Sequence, residues 1–203
     1  MTTLEHLKNI CRLLDHPNPE SLKMSMADTH HKGIFSLVID GTLPGTLTRA
    51  FISSVKLKPF EIQLHSHRYP IRLTVIKGNV RHYDAHVNPS GISISKFDYK
   101  SPLNGGTGLS YSREVLVDIK DYALPVGSII SMDENDIHTV SCSKGSIWIV
   151  EELGFKTYNS TVLGVPFITE GLYNSPGQFQ INDNFQILHQ ELKALISSYD
   201  LVK

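Results

Sequence analysis

The sequence predicts a mainly β protein, an antiparallel sandwich or barrel carrying a short helix at each end. Helical periodicity is confined to the two termini. Between them run short stretches rich in Val, Ile, Leu, Thr and Tyr, punctuated by turn residues. No internal repeat or linker divides the 203 residues, a length that suits one domain able to bury a real core.

At the start, Leu4, Leu7, Ile10, Cys11 and Leu14 recur at helical spacing and predict a helix over 3–14, which His16-Pro17-Asn18-Pro19 stops. Ten strands follow, over 33–39, 46–57, 61–67, 71–76, 79–86, 92–97, 115–122, 128–132, 137–142 and 146–151, so the barrel core is expected at 33–153. Lys77-Gly78-Asn79 reads as a tight hairpin turn and 123–127 as another corner. The Gly-rich stretch 101–108 is expected to be a mobile loop; it lacks the Lys-Ser/Thr ending of a phosphate loop. Residues 154–180 read as a long irregular segment rich in aromatics, placed either to close over the barrel mouth or to wrap its outside. Asn182 or Asp183 then caps a last helix with the stripe Phe185, Leu188, Leu192, Leu195 and Ile196.

Composition excludes several partners. Nineteen Lys and Arg against twenty Asp and Glu leave a net charge of −1, which favours neither nucleic acid nor an anionic membrane surface. The apolar runs are far shorter than the roughly 20 residues a spanning helix needs. No secretory signal is legible at the N-terminus, and Cys11 and Cys142 are too few and too distant for a disulfide framework, so a cytoplasmic location with reduced thiols is expected. A homodimer through an edge strand or the last helix is possible on this pattern, with no legible seam.

Histidine is the unusual entrant: ten residues, against seven for Trp, Cys and Met together. In Glu61-Ile62-Gln63-Leu64-His65-Ser66-His67, strand alternation sends Glu61, Gln63, His65 and His67 to one face, and imidazoles two residues apart can clasp one ion. His138 stands in a second strand after the turn 133–136, where Asn135 can supply a left-handed backbone.

These residues resemble the two motifs of the cupin superfamily. Pro59, His65, His67, Ile71 and Gly78 stand at the places of Gly, His, His, Glu and Gly in its first motif. Gly127, Asp133, Asn135, His138 and Cys142 stand at those of Gly, Pro, Gly, His and Asn in its second. The resemblance covers about 57–153 and implies an antiparallel double-stranded β-helix, the jelly-roll barrel, with one divalent metal held by His65, His67 and His138. Because Ile71 replaces the usual carboxylate ligand, the implied site is three neutral imidazoles, a pattern similar to that of the thiol dioxygenases. Their tyrosine-linked cysteine has no counterpart here.

Such a triad leaves open positions on Fe(II), and without a carboxylate the centre keeps a higher charge that favours an anionic substrate. The expected function is therefore a mononuclear non-haem Fe(II) dioxygenase taking O2 and a small anion such as a thiol. Arg68 and Arg72 are the expected anchors for the far end of that substrate, and Tyr69 a hydrogen-bond partner for a bound oxygen species. Glu61 is expected about 13 Å along the strand, beyond ligation, as a barrel-mouth acid, and Gln63 as a residue that orients a histidine or water. His82 and His86 read as a solvated face, His30-His31 as a polar loop and Cys142 as a buried apolar thiol. Two rival readings use the same site: a Zn, Mn or Ni isomerase or lyase acting on a sugar or keto acid, and a non-catalytic cupin that binds a small molecule.

Overall fold

A computed structural model describes residues 2–100, 105–164, 177–181 and 183–200. Helix α1 (Thr3–Asp15) opens with a reciprocal cap: the Thr2 hydroxyl accepts from the Glu5 amide while the Glu5 carboxylate accepts from the Thr2 amide. The segment read as a stop also starts a second helix, α2 (Pro19–Met24), because Asn18 caps it and Pro19 sits where a missing N–H costs nothing. Helix α3 (Asp183–Asp200) occupies the expected C-terminal place; the alternative cap Asn182 lies outside the described residues.

Strands β1 (Met26–Ala27), β2 (Ile34–Asp40), β3 (Thr48–Ser53), β5 (Ile71–Lys77), β8 (Ile129–Met132), β10 (Ile147–Glu152) and β12 (Gly177–Gln178) form a seven-stranded sheet in the order β12-β1-β2-β3-β10-β5-β8. The opposing five-stranded sheet has the order β11-β4-β9-β6-β7, from β4 (Leu64–His65), β6 (Val80–Lys100), β7 (Gly108–Leu124), β9 (Ile137–Cys142) and β11 (Asn159–Gly164). Each of these pairings is antiparallel. The predicted fold class is what the chain adopts, two antiparallel sheets arranged as a jelly-roll-like sandwich with short terminal helices.

Alternation along the strands sorts side chains into layers. Leu37, Ile39, Ala50, Ile52, Ile147 and Ile149 point away from the second sheet and are covered by α1 and α3 through Leu7, Ile10, Leu14, Phe185 and Leu192. Phe51, Ile71, Leu73, Val75, Trp148 and Val150 point inward and meet Val80, Val140 and Cys142 of the facing sheet. The site lies at one end of this inter-sheet layer.

Three stretches differ from expectation. Runs 79–86 and 92–97 are one strand, β6, interrupted where Val87 and Ile92 both oppose Val117, so that 88–91 loop out. Gly91 permits this, because a Cβ there would lie 2.3 Å from the Val117 carbonyl oxygen. Run 61–67 forms ladder bonds only at Leu64–His65; Phe60 upstream takes a left-handed backbone, φ 64°, that turns the chain. In the segment expected to be irregular, β11 pairs with both β4 and β6. Of the segment 154–180 and the glycine loop 101–108, residues 165–176 and 101–104 lie outside the described residues. Gly78, at φ 83°, makes the predicted β5–β6 hairpin turn with its Cα against Ser146, where a Cβ would meet the hydroxyl at 2.3 Å.

Ile149 is fully buried on β10, with β3 and β5 hydrogen-bonded on either side and helices packed above it. Ile149→Ala is expected to lower unfolding free energy by about 2–5 kcal/mol, measured by urea titration.

Candidate metal centre

His65 and His138 face each other across the antiparallel β4–β9 ladder, and the chain leaving β4 brings His67 back to the same side. One ring nitrogen from each of His65, His67 and His138 lies within 4.8 Å of the others, a cluster that could hold a metal ion. His67 Nε2 and His138 Nε2 are 2.7 Å apart, and the His65 ring centroid is 5.0 Å from that of His67 and 5.2 Å from that of His138. Among the described residues the cluster consists of three imidazoles and no carboxylate, and Ile71, at the place of the cupin carboxylate, is buried in the apolar core. The set suits a borderline divalent transition metal.

The surroundings prepare the nitrogens for that task. His65 Nδ1 lies 2.7 Å from the backbone carbonyl of Gln63, so its N–H donates there and Nε2 is left as the donor atom. Gln63 thus orients a histidine through its main chain, where the sequence pointed to the side chain. Burial, then the neighbouring imidazoles His67 and His65, holds His138 well below the ordinary histidine range. Burial and then His65 do the same to His67, and burial lowers His65 against the opposing Gln63 bond. All three are therefore neutral near pH 7, the form that ligates.

Tyr69 is stacked on His67 with centroids 6.3 Å apart, and Arg68 lies over the tyrosine ring at 5.9 Å. Burial, then Glu152, pushes the Tyr69 hydroxyl up to about 12, keeping it a neutral donor. Arg72 is not at the site. It stands on the face of β5 opposite Ile71, Leu73 and Val75, where its guanidinium forks onto Glu151 at 2.6 and 2.7 Å. Glu61 accepts from the Lys58 amide at 2.8 Å and takes no place in the cluster. Cys142 is a buried free thiol, raised by burial, in the inter-sheet core.

Three features escaped the sequence reading. His30 stacks on His65 at 5.0 Å with its backbone at φ 63°, in the left-handed region that residues with a Cβ adopt less often than glycine. Arg49 and Glu152 form an ion pair at 3.2 Å on the inward faces of β3 and β10, with Glu152 also accepting from the Gly45 amide at 2.6 Å. His82 is fully buried and places Nε2 3.0 Å from His138 Nδ1; of the two histidines expected to be solvated, only His86 is exposed. Alternation along β5 was enough to send Arg72 outward. No local signal announces Arg49 or His82, whose partners are far away in sequence.

The lowered histidines set a pH dependence for the metal-free protein. Unfolding restores the ordinary value of 6.5, so below it the unfolded chain binds protons that the folded one does not. Stability is therefore present above about pH 7 and lost as pH falls from there towards 5, a trend urea midpoints at the two pH values will show and His138→Ala will weaken.

No family model matches the chain, and no curated protein matches it in sequence. Solved structures that match part of it include hydroxypropylphosphonic acid epoxidase from S. wedmorenis, at 13% identity and TM-score 0.39 over 63% of this chain and 53% of that one. Drosophila melanogaster CENP-C bound to CAL1 matches at 11% identity and TM-score 0.40, over 74% of this chain and 98% of that one. Hydroquinone 1,2-dioxygenase PnpCD, in complex with Cd2+ and 4-hydroxybenzonitrile, matches at 11% identity and TM-score 0.36, over 77% of each. The chain spans about half the length of the epoxidase.

Proposed function

We propose that this chain is a cupin-type metalloenzyme, a mononuclear non-haem Fe(II) dioxygenase that combines O2 with a small anionic substrate such as a thiol. The observation that carries the reading is the convergence of His65, His67 and His138 on one point at the end of the inter-sheet layer. Bound there, Fe(II) would supply a redox-active Lewis acid with open positions for an anionic donor and for O2. A donor set of three neutral imidazoles, with no carboxylate among the described residues, leaves the charge of the ion uncompensated and favours an anion as the incoming ligand.

The protein groups then have distinct tasks. His65, His67 and His138 hold the ion as neutral donors. Tyr69, neutral and stacked on His67, gives its hydroxyl proton to the Glu152 carboxylate, so its task is to order the wall beside the three histidines. Arg68, over the Tyr69 ring, is a cation beside the site among the described residues, and it takes the role expected of Arg72, which is committed to Glu151. The Zn, Mn or Ni isomerase or lyase alternative requires a proton-transfer group at the site. Glu61 is engaged elsewhere, which leaves that alternative to Tyr69 and Glu152.

Purified protein reconstituted anaerobically with Fe(II) is expected to bind one equivalent and to consume O2 with a member of a panel of thiols, diketones and catechols. His138→Ala should abolish both. Stoichiometric zinc with no uptake of Fe(II), together with silence across the panel, would overturn the dioxygenase reading. Arg68→Ala is expected to raise KM for the accepted anion by about 10-fold or more through loss of a charge-assisted contact, with iron content unchanged.

A further inference from the structure

We infer that His82, held in turn by Asp84 and Tyr122, is a positioning residue that fixes His138 as the Nδ1-protonated tautomer and so presents its Nε2 to the metal, an assignment that rests on the metal reading of the three histidines. The register of the five-stranded sheet makes the arrangement. Asp84 is paired with His138 and His82 with Val140 across β6 and β9, while Tyr122 is paired with His82 across β6 and β7. Alternation puts all of these on the inward face.

Proton bookkeeping along the chain has one consistent solution. The Tyr122 hydroxyl donates to Asp84 Oδ2. His82 Nδ1 lies 3.2 Å from Asp84 Oδ1 and 3.1 Å from the Tyr122 oxygen, two acceptors, so it carries the proton. His82 Nε2 is then a lone-pair acceptor, and at 3.0 Å its partner His138 Nδ1 must be the N–H donor. That leaves His138 Nε2 unprotonated at the point where the three rings converge, 2.7 Å from His67 Nε2. The reverse tautomer would aim the His82 Nδ1 lone pair at a carboxylate. A fully buried imidazole whose two nitrogens are both engaged is an ordered element, because a buried polar atom without a partner costs free energy. Outer partners of this kind orient the ligand ring and raise its basicity.

Co(II) affinity, read by competition with a chromophoric chelator, tests the assignment. His82→Leu is expected to weaken Co(II) binding about 10- to 100-fold. His82→Gln, whose amide can accept from His138 and donate to Asp84, should recover most of the loss, and Asp84→Asn should fall between. In the zinc-loaded protein, long-range 1H–15N spectra should show His138 protonated at Nδ1 in the wild type and a mixture of tautomers in His82→Leu. Should His82→Leu fail to fold, as judged by circular dichroism, Asp84→Asn and Tyr122→Phe carry the test at partly exposed positions; unchanged affinity in both overturns the assignment. Tight Co(II) binding by wild type with unchanged affinity and tautomer in His82→Leu overturns the positioning role and leaves the metal reading standing. Absence of Co(II) binding that depends on His138 overturns both.

Discussion

The β4–β9 ladder, with His65 opposite His138, is the contact on which the site depends. Directly opposed residues of an antiparallel pair share a face and bring their Cβ atoms to about 5 Å, so this one register delivers two imidazoles to the same point. A slip of one residue would replace them with Leu64 or Ile137, whose side chains belong to the apolar cluster on the other face of the sheet. Burial of those residues therefore stabilises the register, and the register makes the site.

The rest of the fold makes that short ladder dependable. Two residues of β4 could not hold a ring in place alone. The Ser66 amide and hydroxyl exchange hydrogen bonds with Thr161 of β11, the Thr139 hydroxyl donates to the Ile62 carbonyl, and Leu57 is bridged to Cys142 at the end of β9. Behind the facing sheet, α1 and α3 cover the outer apolar surface, so that wall of the interior is packed on both faces. Left-handed backbone at Asp28, His30 and Phe60 falls in the two connections near the cluster, where strain is held by the surrounding ladders.

Electrostatically the interior separates two kinds of polar group. The clustered histidines carry neutral nitrogens, kept so by burial and by one another. Charge is held beside them with partners: Arg49 paired with Glu152 on the facing sheet, and Asp84 hydrogen-bonded by Tyr122 and His82 on the histidines' own sheet. A cation arriving among the imidazoles would find neutral donors at first contact and carboxylates one layer out, an order that orients donors without sequestering the metal's charge.

Much of this was legible residue by residue. Alternation in Leu64-His65-Ser66-His67 put the two histidines together, the spacing to His138 supplied the third, and turn chemistry at Gly78 placed the hairpin, because each rests on contacts within a few residues. The helices at the ends and the mainly β class followed from periodicity for the same reason. His82 and Arg49 could not be found that way: their roles come from pairing with β9 and β10, at separations of 56 and 103 residues, and nothing in the local pattern distinguishes them from polar residues on an open face. The excess of histidine therefore pointed to a cluster that could hold a metal ion, since composition and spacing are properties of the chain itself. Which further histidines stand behind the three, and which arginines face inward, was decided by strand register, since only long-range ladder pairing fixes which side chains share a buried face.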